Sequence, residues 1–255
     1  MRFVLSAVVT AALPALLSAQ TQASALRPEQ QLAHDIYKEL VEINTADSVG
    51  STTVAANAVA KRLREAGFAE SDIFQGGPKP DKGNIVVRYH GTGARKPLLL
   101  LAHLDVVQAL KTDWSPDIDP FKFTERDGYY YGRGTGDDKA MGSIFIANLI
   151  RYKKEGFVPD RDIILALTAD EEGGGSNGVR WLIANHKDLI DAAYALNEGG
   201  GGALRDGKPF INSIGAAEKV SANFTVSTSN RGGHSSVPRD DNAIYQLAEA
   251  LTKIG

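Results

Sequence analysis

The sequence predicts an α/β sandwich on a mostly parallel sheet, followed by the start of a second, α+β segment. Three observations point there. "PLLLLAHLDVV" at 97–107 and "DIILALTAD" at 162–170 are near-continuous apolar runs, the pattern of strands buried on both faces. Between residues 28 and 200, strand-like segments alternate with segments of helical period, which favours parallel pairing through helical crossovers. Beyond that stretch the texture changes: "VSANFTVSTS" at 220–229 alternates apolar and polar residues, as a half-exposed antiparallel strand does.

Residues 1–25 combine Arg2, a short apolar run interrupted by Pro14, and the small-residue site Ala23-Ser24-Ala25. They are expected to be a secretory signal peptide cleaved after Ala25, giving a secreted or periplasmic chain with no membrane attachment after cleavage. The run is short for a bilayer span, and no basic cluster follows it. Leu32, Ile36, Leu40 and Ile43 share one face of a helix that begins near Pro28 and reaches Asn44. Ser51 or Thr52 can cap a second helix that ends at Gly67. A strand is expected at 84–91, then the buried strand at 97–107 and a strand or hairpin arm at 127–134. A helix at 138–155, the second buried strand, a helix at 177–188 and a strand at 192–200 complete the alternation. A last helix starts near Asn242. The domain boundary is placed near Gly215, giving a first domain over 26–215 and the start of a second over 216–255. One strand and one helix cannot bury a core of their own, so that second domain is read as incomplete.

Composition narrows the chemistry. A net charge of -3 gives no electrostatic case for nucleic acid. With no cysteine there is no disulfide, thiol nucleophile or thiolate metal site, so any metal must sit on His, Asp and Glu.

Four polar clusters follow strand-like segments, where open α/β sheets place their sites: "HLD" at 103–105, "GTGDDK" at 134–139, "DEEGGG" at 170–175 and "NEGGGG" at 197–202. Each has a bland explanation: a solvated strand end for "HLD", a capped helix N-terminus for "GDDK", a solvated loop for "DEE". Together they bring one histidine and at least three carboxylates to one sheet edge, and like charges gathered there require cations. His plus carboxylates without thiolate suits Zn2+, with Co2+ or Mn2+ as alternatives. Residues 103 and 105 point to one face of a strand, so Asp105 can accept the spare ring N–H of His103. A carboxylate surplus suits two ions sharing a bridging carboxylate, with another carboxylate left as general base.

"HLDVV", "GRGTGDDKA", "ADEEGGGSNG", "NEGGG" and "GGHSSVP…NAI" occur in that order. In this the chain resembles the co-catalytic di-zinc metallopeptidase family of glutamate carboxypeptidases, aminoacylases, acetylornithine deacetylase and succinyl-diaminopimelate desuccinylase, from about Arg27 to Gly255. The resemblance implies a zinc-peptidase catalytic domain with an inserted lid and dimerisation domain, and two zinc ions. It implies His103 and Glu198 as ligands of one zinc, Asp137 as the bridging carboxylate and Glu172 as a ligand of the other. It further implies Asp105 as the partner of His103, Glu171 as general base and His234 as the lid histidine that polarises the scissile carbonyl. A cis peptide is implied at Asp137–Asp138. Asp170 is left as structural or as a neighbour of the ligands.

Two departures stand out. Gln108 occupies a position that is usually proline, which is expected to alter a loop only. The family's last zinc histidine lies in a segment that returns after the lid, and this chain is expected to stop short of it. His34, His90 and His186 read as surface residues. The implied activity is hydrolysis of an amide bond in short peptides or N-acyl amino acids, in a possible homodimer formed through the lid. The competing reading is a non-catalytic, truncated remnant that binds one metal or none; a third is an interaction module that dimerises through the 220–229 strand.

Overall fold

The computed structural model describes residues 26–215, 222–234, 236–237 and 239–254. The expected signal peptide lies outside the described residues. The chain packs as two units that divide between Glu198 and Gly199. The boundary expected near Gly215 falls at the far end of a hairpin that groups with the second unit.

The first unit contains α1 (Pro28–Glu42), α2 (Thr52–Glu65), β1 (Ile73–Gly76), β2 (Asn84–Tyr89), β3 (Leu98–His103), β4 (Thr124–Arg126), β5 (Tyr129–Tyr131), α3 (Lys139–Glu155), β6 (Ile163–Thr168), α4 (Gly178–Asn185), α5 (Lys187–Ile190) and β7 (Tyr194–Leu196). Its main sheet has the order β1-β2-β6-β3-β7. β3 pairs in parallel with both β6 and β7, while β2 is antiparallel to both β1 and β6. Only β2 therefore runs against the other strands, so the sheet is mixed but mostly of one direction.

The unbroken apolar runs follow from burial on both faces. Leu165 and Leu167 of β6 join one core with Ile85 and Val87 of β2 and with Ile36, Leu63 and Ile146 of α1, α2 and α3. Their neighbours Ile164 and Ala166 face the opposite core with Val86, Leu99 and Leu182 of α4. A sheet covered in this way leaves no polar face to interrupt the sequence.

Local chemistry sets the boundaries. At the start of α2, Ser51 does not cap through its side chain, and the Asp81 carbonyl accepts the N–H groups of Thr52 and Thr53 instead. The helix expected over 177–188 breaks at His186, whose φ of -146° and ψ of 40° are not helical, so α4 and α5 are separate. Two hairpins turn on Asp-Gly pairs with positive φ, Asp127-Gly128 and Asp206-Gly207. The second joins β8 (Gly201–Arg205) to β9 (Lys208–Ser213) in the second unit, which also holds α6 (Ala243–Ile254). That hairpin was not anticipated, although its "DG" signal is local. Conversely, residues 222–229 form no strand; alternation alone does not supply a pairing partner.

Candidate metal centre

β3, β6 and β7 share a direction, so their C-terminal ends meet at one edge. His103 is the last residue of β3, in register with Thr168 of β6, and Glu198 follows two residues after β7. Asp137 enters from the glycine-rich loop that leads into α3, and the Asp137–Asp138 peptide is cis, as the resemblance implies. His103 Nε2 lies 2.8 Å from Asp137 Oδ1 and 3.8 Å from Glu198 Oε2. One ligand atom from each of these three residues lies within 4.8 Å of the others. The imidazole is buried at 3 % exposure, whereas the Asp137 and Glu198 side chains keep 63 % and 34 %, so the centre is rooted in the sheet and open on its outer side.

The ring of His103 is fixed from behind. Its Nδ1 lies 3.0 Å from the backbone carbonyl of Asp105 and 3.5 Å from that residue's carboxylate. Asp105 thus stands beside His103 as expected, with its backbone carbonyl as the nearer acceptor and its carboxylate within ion-pair reach. The Asp105 carboxylate is engaged elsewhere: Oδ1 accepts the Glu171 N–H at 3.1 Å and Oδ2 the Glu172 N–H at 3.0 Å. Donation from Nδ1 leaves Nε2 facing the carboxylates, the tautomer a metal ligand requires.

The charges show what the cluster needs. Burial works against the charged form of His103, but Asp105, Asp137 and Asp138 carry its pKa up to about 10. Burial raises the carboxyls of Glu172 and Glu198, and the neighbouring Asp137 charge adds to it. Burial pushes Asp138 up to about 7. Burial alone would also raise Asp105, but His103 and the Glu172 and Glu171 amides hold it below the usual carboxylate range. An imidazole and crowded carboxylates that resist ionising together, with no thiolate, form a donor set that fits Zn2+ or a similar divalent ion.

Glu172 is half-buried and Glu171 exposed on the turn after β6. Among the described residues, neither belongs to the three-residue group, which is confined to His103, Asp137 and Glu198. Asp170, first of the three adjacent acids, turns away from solvent in the left-handed conformation (φ 53°) and pairs with Lys82 Nζ at 2.7 Å. Sequence reading missed Lys82, because no local pattern links residues 82 and 170; the only signal was that a buried acidic run needs a cation. Lys139, also missed, is fully buried, donates from Nζ to the Ile43 carbonyl at 2.8 Å, and is driven by burial down to about 7. Asp138 stands at the N-cap position of α3 without capping it; its Oδ2 lies 3.4 Å from the His103 N–H.

The remaining histidines are engaged elsewhere. His34 Nε2 meets Glu125 at 2.6 Å, His90 Nε2 meets Asp72 at 3.0 Å, and His186 packs on Phe74 and Trp181. In the second unit His234 is exposed, and its Nδ1 accepts the Ser236 N–H at 3.2 Å. Gln108 accepts the Ser48 hydroxyl at 2.6 Å and so ties down its loop.

Residues 99–255 match the model of peptidase family M20/M25/M40. A probable carboxypeptidase S-like 2 of Dictyostelium discoideum is 32% identical over 254 residues, covering 84% of this chain and 48% of the relative. The N-fatty-acyl-amino acid synthase/hydrolase PM20D1 of Xenopus tropicalis is 33% identical over 162 residues, covering 62% and 31%. Succinyl-diaminopimelate desuccinylase of Delftia acidovorans is 36% identical over 141 residues, covering 54% and 35%. The chain thus spans about a third to a half of the length of these relatives. Among solved structures, the M20 metallo-carboxypeptidase Sso-CP2 of Sulfolobus solfataricus shares the fold with a TM-score of 0.54 at 18% identity, covering 69% of this chain and 38% of that one. Human carnosine dipeptidase 1 gives 0.50 at 18%, covering 68% and 41%.

Proposed function

This chain belongs to peptidase family M20/M25/M40, and from that premise we propose that it carries the catalytic-domain part of a zinc-dependent hydrolase cleaving an amide bond in short peptides or N-acyl amino acids. The observation that carries the reading is the group His103, Asp137 and Glu198, with its ligand atoms within 4.8 Å at the carboxyl end of three like-directed strands. These residues would hold a zinc ion, and Glu172 would contact a second one that shares Asp137. When bound, zinc supplies positive charge that polarises a carbonyl and acidifies water.

The chain's own residues do the rest. His103 presents Nε2 because its Nδ1 is committed to the Asp105 carbonyl. The Asp105 carboxylate holds the Glu171 and Glu172 amides and so fixes the backbone from which both side chains depart. Glu171, exposed beside the cluster, is proposed to take the proton from the attacking water and pass it to the leaving nitrogen. His234 is proposed to polarise the carbonyl, and homodimerisation belongs to the same proposal. Secretion or periplasmic location is proposed from the 1–25 pattern.

Zinc titration with stoichiometry by elemental analysis tests the centre. The chain is expected to bind zinc, and H103A and E198Q to lose it; retention by both variants sinks the reading. E171Q is expected to keep zinc and lose amide hydrolysis by a factor of about 10²–10⁴. One observation favours the alternative of a non-catalytic chain that binds a single metal, namely that Glu172 lies outside the three-residue group. Hydrolysis by this chain, abolished by a chelator, would dismiss it.

A further inference from the structure

Lys82 and Asp170 form an ion pair away from the metal-ligand group, and both side chains are almost wholly buried, at 4 % and 2 % exposure. A buried ammonium is unfavourable unless its partner is fixed and well matched. Both ends of this pair are pinned. The Asp81 carbonyl beside Lys82 accepts the Thr52 and Thr53 N–H groups at the start of α2, at 3.0 and 3.5 Å. Thr53 Oγ1 donates to the Pro80 carbonyl at 2.8 Å and accepts the Gly83 N–H at 2.8 Å. Lys82 is therefore delivered from an anchored loop.

At the other end, the turn after β6 closes around the Asp170 carboxylate. Oδ2 accepts the Ser176 N–H at 3.1 Å. A Cβ on Gly174 would stand 2.3 Å from that oxygen, so only glycine lets the backbone pass so close. The next two residues are Glu171 and Glu172, whose amides rest on the Asp105 carboxylate. Two buried carboxylates thus clamp the segment, Asp105 by its amides and Asp170 by its ends. Lys82 is the countercharge that meets the second clamp inside the fold. Asp47 also reaches Lys82, but its side chain is 67 % exposed and holds no part of the turn.

We infer that Lys82 is a positioning residue for the turn that presents Glu171 and Glu172, an inference that rests on the metallohydrolase reading of those two glutamates. Lys82 itself touches neither metal nor substrate; it acts through Asp170.

The test compares the unsubstituted chain with K82M, K82R, K82M/D170N and E172Q. Amide hydrogen exchange is followed by NMR, and Co2+ binding by its visible absorption spectrum. In K82M the amides of Glu171, Glu172 and Ser176 are expected to exchange on the order of tenfold faster, with those of Leu165 and Leu167 in β6 unchanged. The cobalt spectrum is expected to shift as it does in E172Q, and K82R to restore both readouts. Should K82M fail to fold, K82M/D170N removes both charges without leaving an ion unpaired, and the same changes are expected in it. Unchanged exchange at the turn, or equal acceleration throughout β6, overturns the proposal. So does a shifted cobalt spectrum in E172Q beside an unshifted one in the folded Lys82 variant. If E172Q itself gives the unsubstituted spectrum, Glu172 is no metal contact; the reading of that glutamate then fails, and the proposal with it.

Discussion

His103 shows how neighbours decide what a side chain can do. Desolvation favours its neutral form, yet three surrounding aspartates outweigh burial and carry its pKa to about 10. A group with a raised folded pKa is protonated across the neutral range, and a metal must displace that proton from Nε2. Zinc affinity is therefore expected to rise with pH up to about 10, with net proton release on binding. Calorimetry in buffers of different ionisation enthalpy measures that release; a pH-independent affinity would contradict it. Asp162 gives the opposite sign. Burial would raise its carboxyl, but the Gly91 N–H and Arg88 hold it below the ordinary range. A depressed folded pKa stabilises above the unfolded value and is lost as pH falls through the folded one. D162N is expected to flatten the acid limb of stability against pH and to cost about 1 kcal/mol at neutral pH, read from urea melts at several pH values.

At the scale of elements, the turn from β6 into α4 is built by contacts between distant segments. Asn177 caps α4 by accepting the Arg180 N–H at 3.0 Å, and N177A is expected to cost about 1 kcal/mol in denaturant unfolding. Gly178 permits a closer approach. A Cβ there would stand 1.9 Å from Asn84 Oδ1, which already accepts the Ala169 N–H at 2.9 Å. G178A is expected to cost about 1–3 kcal/mol, whereas an exposed helical Gly-to-Ala change stabilises by about 1 kcal/mol, and thermal melts decide it. Helix periods, the two buried strands and the "DEE" turn were legible because their signals are local. The split between α4 and α5 was not, because no Gly or Pro stands at the break around His186. Residues 222–229 misled for a related reason: period-two alternation records a preference for a pleated surface and says nothing of a partner.

For the molecule as a whole, the layered sheet brings its like-directed strand ends together and concentrates acid there. The cost of that crowding makes ion binding a source of stability. Saturating zinc at about a hundred times its dissociation constant is expected to stabilise the chain by about 2.7 kcal/mol, and H103A to abolish the gain. Calorimetric melts with zinc and with chelator measure this difference. A chain whose melting temperature ignores zinc would have no preformed site.

The sequence by itself determined the layer architecture, the strands that end at the site and the residue types assembled there. Apolar period and donor chemistry are properties of short stretches, and the order of the five motifs is a property of the string. Only the tertiary structure decided which atoms meet. It gave His103 Nδ1 the Asp105 backbone carbonyl as its nearest acceptor, turned the Asp105 carboxylate to the Glu171 and Glu172 amides, and supplied Lys82 as the cation beside Asp170. The physical reason is separation along the chain. Residues 82, 105 and 170 lie on different strand ends and loops, and their hydrogen bonds exist only once the sheet has set its register.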